Sequence, residues 1–188
     1  MSAALVARAD SDSIARWAEP GRCGTNALYA MLRLSGHEVD FDDVYRATPV
    51  DPRHGATLQE LADAAASLGV QVDVRRVQLS DIPRLATPFI AHLDLADVGG
   101  SGHFIVVSRV VKIDKQWQIS AIDGSRCIVT DQDLENLRTA FLGFVLMPAD
   151  PRPVGWVGDS SLEWGAAAVG LVIGSLGARK YLRQSQHP

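Results

Sequence analysis

The sequence predicts an α+β domain in which helices pack on an antiparallel sheet. Two helical periodicities come first, a run of strand-like segments follows, and prolines at 148, 151 and 153 close the pattern. With 47% hydrophobic and 21% charged residues, the 188-residue chain has the apolar content for one core of ordinary size.

The first helix is read from Ala27, Leu28, Ala30, Met31 and Leu34, which recur at helical spacing up to the stop at Gly36; it begins near Cys23. The second follows Thr57, a capping residue with Glu60 as its capping-box partner, and runs through Leu61, Ala64, Ala65 and Leu68 to Gly69. From Val70 to Val77 the period changes to two, with Val70, Val72 and Val74 alternating against Gln71, Asp73 and Arg75, which predicts a half-exposed strand. Phe89 to Leu93, His103 to Val111, Trp117 to Ile122, Cys127 to Thr130 and Phe141 to Met147 read as further strands. The connection after Val111 is short enough for a hairpin. No internal repeat is visible.

Residues 1–148 are read as this domain, 149–161 as a stiff linker, 162–182 as a C-terminal hydrophobic helix and 183–188 as a tail. Trp164 to Ala178 is a stretch of fifteen residues without charge, flanked by Glu163 and by Arg179, Lys180 and Arg183. Its length of about 22 Å falls short of a ~30 Å hydrocarbon core, so Leu162, Tyr181, Leu182 and snorkelling basic side chains complete a transmembrane span. Ala166, Gly170, Gly174 and Ala178 line one face and would let two such helices pair as a homodimer. The plainer alternative is an amphipathic or buried helix of the domain itself. The expectation is a single-pass membrane protein. Arg179, Lys180 and Arg183 favour an outward domain by the positive-inside rule, whereas the lack of a secretory signal in Met1 to Trp17 favours a cytoplasmic one, which is preferred here.

A net charge of -4 has the wrong sign for a protein held by phosphate contacts, so no nucleic acid partner is expected. Two cysteines, Cys23 and Cys127, are too few for a disulfide scaffold or a four-ligand zinc site, and there is no phosphate-binding loop; neither metal nor cofactor is expected.

Cys23 lies in Gly21-Arg22-Cys23-Gly24-Thr25-Asn26, just before a helix, where unpaired N–H groups and the helix dipole favour a thiolate. Arg22 adds a positive charge, Gly24 leaves room for a substrate backbone, and the Cys23 amide can face a developing oxyanion. His103 follows Gly99-Gly100-Ser101-Gly102 and opens an apolar strand, a position from which an imidazole can take the thiol proton and return it to a leaving amine. Asp123 ends the next strand before Gly124, so a hairpin brings its carboxylate level with His103 as the orienting group. Asp94, Asp97 and Asp114 are alternatives on composition. Cys127 is read as packing, and His37, His54 and His92 as surface or satisfied core residues.

This order of cysteine, histidine and aspartate resembles the papain-like bacteriocin-processing endopeptidases, the double-glycine leader peptidases. The resemblance extends through Leu28 to Gly36, Gly55-Ala56-Thr57-Leu58, Leu68-Gly69, Pro88-Phe89-Ile90-Ala91-His92, His103-Phe104-Ile105-Val106-Val107, Asp123-Gly124 and Phe141-Leu142-Gly143-Phe144. It implies a papain-like fold in which Cys23 is the nucleophile, His103 the general base and acid, and Asp123 the orienting group. The substrate it implies is a peptide or protein precursor cut after small residues, usually Gly-Gly, and a separate export transporter is an expected partner. The family places an oxyanion-hole glutamine six residues before the cysteine, where this chain has Trp17; the Cys23 amide or Asn26 would then have to support the oxyanion. Two other readings follow from the same residues: a peptidase-like domain that binds leaders without cutting them, and a tail-anchored scaffold.

Overall fold

A computed structural model of the chain describes residues 17, 19, 21–51, 54–94, 102–126 and 128–150, which fall within the compact unit Ser11–Gly155. Most of the linker, the hydrophobic helix with its small-residue face, the tail, Asp97, residues 99–101 and Cys127 lie outside the described residues. Among those described, no helix is long and apolar enough to cross a membrane.

Among the described residues, three α-helices precede the sheet: α1 (Cys23–Leu34), α2 (Phe41–Ala47) and α3 (Leu58–Ser67). The expected first helix is α1. The second is α3, whose Thr57 side chain accepts from the Glu60 amide at 3.2 Å while Glu60 Oε2 accepts from the Thr57 amide at 2.7 Å. Between them, α2 went unread in the sequence because its seven residues are too few for a helical period. Its signal is local: the Asp40 side chain accepts from the Asp42 amide at 2.8 Å, and Phe41 and Val44 are buried.

Six strands follow among the described residues: β1 (Val72–Arg76), β2 (Phe89–Leu93), β3 (His103–Ile113), β4 (Gln116–Asp123), β5 (Val129–Asp133) and β6 (Phe141–Pro148). They form one antiparallel sheet in the order β1-β6-β2-β3-β4-β5. Apolar side chains fill both faces, which explains why Phe104 to Val107 reads as a continuous hydrophobic run. Phe104 and Val106 pack with Ala27, Leu28, Met31 and Leu61 of the helices. Ile105 and Val107 pack on the other face with Ile82, Leu134 and Leu137, carried by 3-10 turns at Leu79–Arg84 and Leu134–Leu137.

The edges depart from expectation. β1 is shorter than the predicted Val70 to Val77, and Val74 is 42% exposed, because the helix layer covers only Val70 and Val72 of this edge strand. β5 starts at Val129 and extends to Asp133, later than the predicted strand from Cys127. The predicted hairpin joins β3 and β4 through Asp114 (φ 47°) and Lys115 (φ 74°), the two-residue turn whose twist matches the strands. At its open end the same register pairs Ile105 with Asp123.

Candidate active site

Cys23 opens α1, partly buried. No side chain caps this helix end, so the first-turn amides and the dipole stay directed at whatever charge forms beside the sulfur. Gly24 is buried against β3: a Cβ there would lie 3.2 Å from the Phe104 ring and 3.3 Å from Leu61. Close seating of α1 on the sheet, rather than room for substrate, is therefore what this glycine provides.

His103 begins β3 and Asp123 ends β4. Since Asp123 pairs with Ile105, two residues from His103, both side chains stand on the same face of the hairpin. His103 Nε2 and Asp123 Oδ1 are 3.2 Å apart. Cys23 is close enough to act on the imidazole, and with Nε2 facing the carboxylate, Nδ1 is the nitrogen left for the thiol. The hydrogen bond to Asp123, followed by the interaction with Cys23, pushes the His103 pKa from 6.5 up to about 9, against the opposing effect of burial. Burial works to raise the Asp123 pKa, but hydrogen bonds from His103 and from the hydroxyl and amide of Ser125 outweigh it and hold the carboxyl well below its usual range.

The three residues singled out from the sequence are thus brought together, and the two described alternatives, Asp94 and Asp114, are not. Asp114 sits in the β3–β4 turn at the opposite end of the hairpin. Asp94 is exposed after β2, its amide bonded to the Ala140 carbonyl at 2.7 Å. Among the described residues, no cluster of His, Cys, Asp and Glu is arranged to hold a metal ion.

Two further expectations about the neighbours of Cys23 need correction. The Arg22 guanidinium lies 3.8 Å over the Tyr45 ring, donates to the Thr48 carbonyl at 3.3 Å and approaches Glu19 at 3.5 Å, so its charge is spent on the α2 side. Asn26 cannot supply an oxyanion donor, because both hydrogens of its amide are taken: Nδ2 donates to the carbonyls of Trp17 at 2.8 Å and Gly124 at 2.7 Å. Trp17 stacks on Phe41 at 5.5 Å and meets Tyr29 edge-on at 6.1 Å, with its indole nitrogen buried and without a hydrogen-bond partner. Of the donors considered, the Cys23 amide is the one left for an oxyanion.

Several supporting residues were not read from the sequence. Ser125 donates from both its amide and its hydroxyl to Asp123 Oδ1 at 2.7 Å, an Asx-type turn that Asp-Gly-Ser signals locally. Gly124 packs so closely that a Cβ would lie 2.3 Å from the Cys23 carbonyl oxygen. His92, read as a surface or satisfied core residue, stacks on the Phe104 ring at 4.7 Å. A Cβ on Gly102 would fall 2.0 Å from His92 Nε2, so this ring braces the backbone immediately before His103. Burial lowers the His92 pKa, partly opposed by Asp94, and keeps the ring neutral at pH 7.

A sequence profile of the Peptidase C39 family matches residues 13–151, three quarters of the chain and the whole of the described domain. The chain belongs to the Peptidase C39 family. The C39 fold is also seen in solved structures that are 20% identical to it in sequence. One is a double glycine motif protease from an AMS/PCAT transporter, solved in complex with the leader peptide; its TM-score is 0.57, with 69% of this chain and 84% of that chain covered. Another is the peptidase domain of Streptococcus ComA, a bifunctional ABC transporter involved in quorum sensing, with a TM-score of 0.56 and coverage of 67% and 89%. The N-terminal peptidase C39-like domain of a toxin secretion ATP-binding protein from Vibrio parahaemolyticus gives a TM-score of 0.51, covering 66% of this chain and 93% of its own. No match is found among curated protein sequences. This C39 chain therefore carries the papain-like α+β architecture expected from its sequence.

Proposed function

We propose that this C39 domain is a cysteine endopeptidase that cuts the leader of a peptide or protein precursor after small residues of the Gly-Gly type. The observation that supports this most directly is the convergence of Cys23, His103 and Asp123, with His103 Nε2 3.2 Å from the Asp123 carboxylate and Cys23 close enough to act on the imidazole. Cys23 Sγ attacks the scissile carbonyl carbon while its proton resides on His103, and the Cys23 amide faces the oxyanion. Collapse breaks the C–N bond and His103 gives its proton to the leaving amine. Water then attacks the thioester, passing one proton to His103 and its hydroxyl to the acyl carbon, and the thiol is restored. A histidine that titrates near 9 holds that proton at neutral pH. Asp123 fixes the ring orientation and stabilises the imidazolium.

In the same reading, residues 1–148 form the peptidase domain, 149–161 a linker, 162–182 a membrane tether with the domain on the cytoplasmic side, and a separate export transporter works beside it. The likeness of the fold to peptidase domains of transporters supports the last point. A second reading, a domain that binds leaders without cutting them, is favoured by Trp17, whose buried indole stands where the family has its oxyanion glutamine.

Incubation with synthetic peptides carrying a Gly-Gly site, followed by mass spectrometry, separates the two. Cleavage that vanishes in Cys23→Ala establishes the peptidase. Binding by calorimetry with no cleavage by the native chain establishes the binding module.

A further inference from the structure

We propose that Asn26 is a positioning residue that ties the nucleophile helix to the turn carrying Asp123, and so sets the distance between Asp123 and His103. The inference rests on the peptidase reading for its kinetic consequences. Asn26 is fully buried, three residues after Cys23 and therefore almost one helical turn along α1. Both of its amide partners are carbonyl oxygens, so the nitrogen must face them, and the side-chain orientation follows from the network itself. Its own Oδ1 is buried and has no partner. The side chain works here as a two-pronged donor and nothing else.

One prong holds the Gly124 carbonyl at 2.7 Å, in the residue directly after Asp123. On its other sides the Gly124 backbone is pressed against the Cys23 carbonyl and donates to the Phe104 carbonyl at 3.3 Å. The turn is thus clamped between α1 and β3, the two elements that present Cys23 and His103. The second prong holds the Trp17 carbonyl at 2.8 Å and fixes the chain leading into α1. Without the Asn26 amide, both carbonyls would lose this donor and, among the described residues, the Asp123 turn would lose its side-chain hydrogen bond to α1. The titratable groups facing His103 are Asp123 from β4 and Cys23 from α1, so a shift of the turn registers directly on the imidazole.

The test compares Asn26→Ala with Thr25→Val in the whole chain. Thr25 is the adjacent fully buried polar residue, its hydroxyl has no partner, and its change to valine removes no hydrogen bond. Two quantities are read: the His103 titration midpoint by NMR, and kcat and KM separately on a Gly-Gly peptide. Asn26→Ala is expected to move the midpoint from about 9 by at least one unit toward 6.5 and to lower kcat on the order of 10- to 100-fold, with KM little changed. Thr25→Val is expected to leave both where they are. Should Asn26→Ala fail to fold, Asn26→Ser keeps one donor in a smaller side chain and is expected to show a smaller shift in the same direction. An unchanged midpoint in a folded Asn26 variant, or an equal shift in Thr25→Val, overturns the proposal. If the native chain cuts no peptide yet the midpoint moves as described, the positioning role stands and the peptidase reading is what has failed.

Discussion

Asp123 Oδ1 receives His103 Nε2 at 3.2 Å and, on the same oxygen, the amide and hydroxyl of Ser125 at 2.7 Å. The carboxylate is therefore held from its own turn before it engages the imidazole, and the ring inherits that fixed direction. Asp123→Asn keeps the shape and removes the charge. His103 is expected to titrate closer to 6.5 than to 9 in this variant, and peptide cleavage should fall on the order of 10²–10⁴-fold. NMR of the imidazole protons together with a cleavage assay checks both. An unmoved midpoint would remove Asp123 from the relay.

The same pair makes stability depend on pH at both ends. His103 has a folded pKa raised from 6.5 to about 9, so its contribution is complete below about 6.5 and is lost as pH rises through 9. Asp123 has a folded pKa below its ordinary 3.8, so its contribution is present above that value and is lost as the pH falls further. Urea midpoints measured from pH 3 to pH 10 should therefore rise, level off and fall again between about pH 7 and pH 10. In Asp123→Asn the alkaline fall should flatten. A native protein equally stable at pH 7 and pH 10 would contradict the pairing.

Gly124 meets the Cys23 carbonyl at a distance that leaves no space for a methyl group. Gly124→Ala is expected to push the Asp123 turn off α1, at a cost of about 1–3 kcal/mol in stability. Cleavage by the molecules that remain folded should also fall. By contrast, alanine at Gly36 meets nothing within 4 Å, and its penalty comes only from the positive φ of 82°. Thermal melts and thiol alkylation rates on the two variants distinguish a local backbone penalty from damage at the site.

What could be read from the sequence was whatever leaves a period or a local chemical signature. Thr57 and Glu60 announced α3, and the unbroken run from Phe104 to Val107 announced a strand, though not that both its faces are covered. Cys23, His103 and Asp123 were legible because each sits at the boundary of such an element, where direction can be inferred from neighbours. Short α2 offered no period, and the exposure of Val74 depends on how far a helix layer extends over an edge, which no local pattern encodes. The roles of Arg22, Gly24 and Asn26 were misjudged for a common reason. Each is decided by a partner distant in sequence: Tyr45 and Thr48 for the arginine, Phe104 for the glycine, Gly124 for the asparagine.

Trp17 poses the sharpest remaining question, since a peptidase of this family with no glutamine there must stabilise its oxyanion otherwise. Its indole nitrogen is buried without a partner, and its ring packs against both Phe41 and Tyr29, which also meet each other at 5.3 Å, so the side chain belongs to the aromatic contact between α1 and α2. Trp17→Leu keeps the backbone carbonyl that Asn26 uses and removes the ring contacts. It is expected to lower stability by about 1–3 kcal/mol, from two aromatic pairs of roughly 0.5–1.5 kcal/mol each. Because the Cys23 amide is left as the donor, kcat for folded Trp17→Leu should stay within about threefold of the native value, well short of the 10²–10³-fold that losing an oxyanion donor brings. A selective loss of that larger size in a folded variant would mean that the indole swings into the cleft during the reaction, and the tryptophan would then replace the missing glutamine in function as well as in position.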